Sequence, residues 1–208
     1  MKLRSIPLLV AISAMLMTLG ACASYDKSHV DYGKATTYKS TLTIDEITLA
    51  AEPYDTKAEV VGAFDENLTE MGYYPVRVLL QNDTQDRLLV LRDTVELSNP
   101  SGQTFRPVGA AVMADDFEDN AMAYALLGFG IFSYASAKDA NKERELDYAN
   151  KELPETRVVA PGTRLGAFVY FNLPAGVDIN STILHVTVER MGGGGTTVFE
   201  IPFENYRS

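Results

Sequence analysis

Few side chains in this sequence could catalyse a reaction, bind a metal or carry a covalent modification. They are one cysteine, Cys22, two histidines, His29 and His185, and one dense acidic group, Asp115, Asp116, Glu118 and Asp119. His29 stands in the polar stretch ASYDKSHVDYGKATTYKS, residues 23–40, with no ligand or nucleophile beside it, and reads as a solvated linker histidine. His185 shares a strand face with Thr187 and Glu189. A Ser-His-Asp set would need a nucleophile as well, and nothing like a Gly-x-Ser-x-Gly turn is present. A structural histidine is therefore expected.

The acidic group lacks the spaced ligands of an EF-hand calcium loop. At a helix start it would simply complement the macrodipole. Gly192 to Gly195 could cradle a phosphate only with a Lys-Ser/Thr pair and a helix behind it. A strand follows instead, so the run reads as a hairpin tip. Only carboxylate chemistry is left for an enzyme, and it would need two convergent acids with shifted pKa values. No catalytic residues, metal or cofactor are expected.

The elements that would position these residues are mostly strands. Thr41–Leu49 alternates at first, with Leu42 and Ile44 opposite Thr41, Thr43 and Asp45. It reads as one strand, broken by Pro53-Tyr54-Asp55. Thr56 and Glu59 fit a capping box. Val60, Phe64, Leu68 and Met71 follow at helical spacing, so a helix is predicted over 57–71 with Gly72 as its cap. Gly62 weakens that helix, and residues 58–64 read alternatively as a strand. Further strands are predicted at Pro75–Gln81, Arg87–Leu97, Gln103–Val108, Arg157–Ala160, Leu165–Asn172, Thr182–Arg190 and Thr197–Phe203. The fold class is mainly β: an immunoglobulin-like antiparallel β-sandwich over residues 41–204, with a small β-barrel as the alternative. The Cys and Trp markers of antibody domains are missing, so the likeness is one of architecture.

At the start of the chain, Lys2 and Arg4 precede an uncharged apolar run from Ile6 to Leu19, and small residues follow. That is the layout of a secretory signal peptide. Leu19-Gly20-Ala21-Cys22 resembles the lipobox of bacterial lipoprotein precursors: an apolar residue, two small ones, then cysteine. The resemblance covers only the leader. It implies cleavage of residues 1–21, a diacylglycerol on the Cys22 sulfur and, usually, a third acyl chain on the new amine. Each buried methylene contributes about 0.8 kcal/mol, so two or more chains hold firmly. Ala23 and Ser24 follow Cys22, where an aspartate would mark inner-membrane retention, so the resemblance implies the outer membrane. Residues 22–40 are then the lipidated cysteine and a flexible tether. Its last eighteen residues, 23–40, would reach at most roughly 60 Å.

Removing residues 1–21 takes two basic side chains and leaves 16 basic and 28 acidic ones, a net charge of −12. Such a surface repels nucleic acid and anionic membrane faces, so the lipid must do the anchoring and no nucleic-acid partner is expected. With Cys22 acylated, no disulfide can form, and stability must come from packing.

Between Val108 and Arg157 the strand pattern stops, and a helical insertion is predicted at about 112–154. Its middle, Asn120 to Ala137, has no charge. The charged stretch that follows carries Asp147 and Lys151 in the favourable order, four apart, and a thin apolar stripe of Leu146, Ala149 and Leu153. A straight helix of this length would overhang the domain, so a break is expected near Gly128 and Gly130. The uncharged arm suits three places: against the sandwich as core, in a membrane, or against a partner or second copy. Met122, Tyr124, Leu126, Phe129, Ile131 and Phe132 are the candidate interaction surface. The function expected is a non-enzymatic, lipid-anchored envelope lipoprotein, an adaptor or structural subunit at the periplasmic face of the outer membrane. The alternative is a binding module holding an apolar ligand between the sandwich and residues 120–137.

Overall fold

A computed structural model describes residues 27–113, 116 and 142–205. The strand expected over Thr41–Leu49 is a hairpin, β1 (Ser40–Ile44) and β2 (Ile47–Pro53), paired from Ser40 opposite Ala51 to Ile44 opposite Ile47. Asp45 and Glu46 between them take φ of 47° and 63°, the two-residue turn whose twist matches the strands it joins. The usual Asn-Gly or Asp-Gly signal is absent, which is why the alternation ran through the turn unbroken.

The capping box forms, with Thr56 and Glu59 each accepting from the other's main-chain N–H. Helix α1 is shorter than expected, Lys57–Phe64, because Asp65 enters the left-handed region at φ 54°. Leu68–Met71 is a separate 3₁₀ turn, closed by Gly72 at φ 82°. Val60, Phe64 and Leu68 are nevertheless all fully buried, so the spacing marked the right face of an interrupted element.

β3 spans Tyr73–Asn82. The strand expected over Arg87–Leu97 is split into β4 (Leu88–Leu91) and β5 (Glu96–Ser98) by a 3₁₀ turn at Arg92–Thr94. The next one is divided between sheets as β6 (Thr104–Phe105) and β7 (Pro107–Val108), with Arg106 at the crossing. Pro107 lacks a ladder donor and sits on an edge strand, where that is tolerated. β8 (Thr156–Val159), β9 (Arg164–Asn172), β10 (Ile183–Arg190) and β11 (Thr196–Pro202) lie where their patterns place them.

These strands make two antiparallel sheets, a mainly β sandwich. Sheet A has the order β1-β2-β3-β9-β7. Sheet B is built on β10, which pairs with β11 along one side and with β4 and β5 end to end along the other; β8 extends β4 and β6 extends β5. Between the sheets lies an apolar core that includes Leu49, Val78, Val90, Val169, Phe171, Val186 and Phe199. On β10 the alternation is realised: Leu184, Val186 and Val188 point into that core and His185 and Thr187 away from it. The cavity left between the sheets is about 20 Å³, room for little more than one water. The sheets meet at a seam where Ser40 Oγ donates to the Pro202 carbonyl.

Sheet A is covered on its outer face as well. Helix α1, the helical residues 110–113 and a helix over residues 142–151 pack there on an aromatic layer of Phe64, Tyr73, Tyr148, Phe168 and Tyr170. Phe64 meets Phe168 edge-on at 4.9 Å and Tyr148 at 5.6 Å, the favoured arrangement for aromatic pairs. The rest of that face is covered by residues expected to be a free tether. Ala35 and Tyr38 are buried against Ala50 and Leu79 of the sheet, so from Val30 onward the chain is a docked strap. Strap and aromatic layer explain why Ala167 to Phe171 are buried without alternation.

Candidate functional site

The charged face of the helix over 142–151 turns inward, so the expected apolar stripe holds only at Leu153, just past the helix and buried in the core between the sheets. Leu146 is 50% exposed and Ala149 is exposed, while Asp147, Tyr148 and Lys151 are buried. Lys151 explains the inversion. Its ammonium group pairs with Asp147 and donates to the Ala63 carbonyl at 2.7 Å, at the C-terminal end of α1, where a cation is favoured. It also lies 5.2 Å from the centre of the Phe64 ring. Two turns before Lys151, Arg144 reaches Glu66 at 3.0 Å. Residues Arg144, Asp147, Tyr148 and Lys151 thus form one helical stripe of three charged side chains and one aromatic. The i,i+4 pair was visible in sequence, but nothing in its spacing distinguished a buried pair from a solvated one.

The two described ends of the insertion are fixed on the same face. Glu152 Oε1 accepts from the Ala110 N–H at 3.1 Å, pairs with Arg92, and so joins the exit of the insertion to its entrance. Burial pushes the Glu152 carboxyl above its ordinary range, and the Arg92 guanidinium works against that shift. The Tyr73 hydroxyl donates to Asp116. Burial and that carboxylate together raise the Tyr73 pKa to about 12. Tyr170 donates to the Tyr148 carbonyl at 2.9 Å, and burial drives both phenols upward. The candidate contact residues Met122, Tyr124, Leu126, Phe129, Ile131 and Phe132, and Cys22, lie outside the described residues. Of the acidic group only Asp116 is described, and it serves as the acceptor for Tyr73. Among the described residues no helix is long and apolar enough to cross a membrane.

Sheet B carries a constellation that sequence spacing did not reveal. Ser98 on β5, His185 on β10 and Glu200 on β11 stand side by side on its outer face. Ser98 Oγ and His185 Nε2 are 2.7 Å apart, and His185 Nδ1 is 3.7 Å from Glu200 Oε1. The order is that of a nucleophile, a base and an orienting acid. The acid is beyond hydrogen-bond distance of the ring and is largely exposed. The strands around Ser98 are paired on both sides, so their N–H groups face neighbouring strands and not a developing oxyanion. Cross-strand register brings these residues together from nearly a hundred positions apart, and a linear pattern cannot report that.

Beside Arg92 an open groove of about 420 Å³ is lined by Leu91, Asp93, Arg106, Glu155 and Thr156, with its charges mixed in sign. Arg92 itself is held by Glu152 and by Glu155 at 3.5 Å.

The strap is gripped through its main chain. Arg164 Nη1 donates to the Gly33 carbonyl at 2.6 Å, Arg77 Nη1 to that of Asp31 at 3.3 Å, and the Tyr38 hydroxyl to that of Tyr32 at 2.9 Å. The Arg77 guanidinium also lies 4.4 Å from the centre of the Tyr38 ring and pairs with Glu52 at 2.5 Å. Tyr32 rests on Gly166 so closely that a Cβ there would come within 2.3 Å of the ring. Burial pushes the Tyr32 phenol up to about 12.

No protein-family model matches the chain, and no curated protein matches it. Among solved structures, the chain is similar to the crystal structure of the yjhA protein from Bacillus subtilis, at 11% identity over 72% of this chain and 78% of that one, with a TM-score of 0.39.

Proposed function

We propose that the protein is a non-enzymatic lipoprotein of the bacterial envelope, held by acyl chains on Cys22 at the periplasmic face of the outer membrane, where it serves as an adaptor or structural subunit. The observation that carries this reading is the sequence Leu19-Gly20-Ala21-Cys22 behind a basic start and an apolar run. Only four residues separate that cysteine from Lys27, where the described chain begins. The domain behind it supports a binding role over a catalytic one. The sandwich interior keeps a cavity of only about 20 Å³, and the Ser98-His185-Glu200 grouping sits on strands paired on both sides.

The test is mass spectrometry of the protein from envelope fractions. An N-terminal Cys22 bearing acyl chains is expected, and Cys22→Ser should move the protein into the soluble fraction. An unmodified chain that begins upstream of Cys22 would overturn the reading.

A further inference from the structure

The length of free chain between an anchor and a domain limits which faces of that domain can approach the membrane. Eighteen free residues, 23–40, would reach roughly 60 Å and leave every orientation open. The structure shortens that length. The strap is bound from Val30 to Tyr38, and Lys27 already pairs with Glu143 at 3.7 Å on the outermost layer of the domain. From Cys22 to Lys27 is a span of five residues, at most roughly 18 Å. Helix or strap layer, sheet A and sheet B are stacked at about 10 Å per layer, so the outer face of sheet B lies roughly 25 Å beyond the layer that holds Lys27. While the Lys27–Glu143 pair holds, a domain lying with sheet B against the lipid would carry Lys27 roughly 25 Å from the bilayer, beyond the roughly 18 Å that five residues span.

Resting on the lipid-anchor reading, we propose that the docked strap fixes the orientation of the domain at the membrane. The strap and helix layer over sheet A faces the lipid surface, and the outer face of sheet B, with Ser98, His185 and Glu200, faces away from it. The strap is suited to this work because its lock is specific. Two arginines hold its carbonyls, and Tyr32 fits a place on β9 that only glycine leaves open. It also places the entrance and exit of the insertion on the side nearest the lipid, since Glu143 is the partner of Lys27.

The experiment uses the full acylated chain in vesicles that contain headgroup-spin-labelled lipid. With Cys22 acylated, an introduced cysteine is the only free thiol, so a fluorophore can be placed by Lys34→Cys on the strap or by Val198→Cys on sheet B. Both positions are exposed. The expected result is quenching several-fold stronger at position 34 than at 198. Strap release should remove that difference while the protein stays bound. Gly166→Ala forces Tyr32 off its seat, and Arg164→Ala, at an exposed position, releases the Gly33 carbonyl without touching the core. Equal quenching at both positions in the bound wild-type chain, or stronger quenching at 198, overturns the orientation but leaves the anchor standing. A Cys22→Ser chain that sediments with the vesicles as fully as wild type overturns the anchor, and the orientation with it.

Discussion

Lys151 shows how far one side chain can decide the role of an element. Its charge lies under the surface because Asp147 and the end of α1 receive it together. Removing Lys151 takes the nearest cation from the buried Asp147 carboxylate, so Lys151→Ala is expected to destabilise the fold by about 3–5 kcal/mol. Replacing both members, as Asp147→Leu with Lys151→Met, leaves no orphaned charge and should cost far less. Urea denaturation of the two variants checks this, and equal losses would count against a buried pair. A second residue of this kind is Asn82, fully buried at the end of β3. Its amide donates to the carbonyls of Asp86 and Val159, while its oxygen accepts from the Thr84 N–H and hydroxyl. Asn82→Ala removes all four bonds at once and leaves only the Thr84 hydroxyl to reach the Asp86 carbonyl, at 3.3 Å. A loss of about 2–3 kcal/mol is expected in the same assay.

Among the elements, legibility in the sequence followed the number of faces each one buries. β10 and β11 have one wet face, and their alternation located them within a residue. β9 is covered on both faces, and its Ala-Phe-Val-Tyr-Phe run located the strand but not the second layer above it. Turns with ordinary residues were missed, as at Asp45-Glu46, because a positive φ in non-glycine residues leaves no mark in composition. Arg92–Thr94 likewise broke a run of apolar residues that looked continuous. The strap resembles a tether in sequence because much of its grip is on main-chain carbonyls, which any residue supplies, and its few buried side chains follow no period. The cross-strand trio at His185 was illegible for a different reason, since register is a tertiary property. At this scale the capping box, legible in sequence and formed in the structure, offers a clear test. Thr56→Ala should cost about 1 kcal/mol, measured by thermal melting.

For the molecule as a whole, the tyrosines of the outer layer set a limit on alkaline stability. Tyr32 and Tyr73 are raised to about 12, and Tyr38, Tyr54, Tyr148 and Tyr170 are raised as well, chiefly by burial. In each case the folded state holds a proton that the unfolded state releases near pH 10. The stability these phenols contribute is therefore complete below pH 10 and is lost as pH rises from 10 through 12. Melting temperature should fall steeply across that window. Phenolate absorbance should lag behind the free-tyrosine titration until the domain unfolds.

The seat of the strap also imposes an order on events. Its walls are Arg77 and Leu79 from the first half of the chain, and Arg164, Gly166 and Phe168 from the second. A chain delivered N-terminus first presents residues 27–38 long before β9 exists to receive them, and pairing between such distant strands is slow to form. If Cys22 is acylated as proposed, the segment beside it is thus open to a processing enzyme while most of the domain is still to come. The seat closes over residues 30–38 only when β9 arrives.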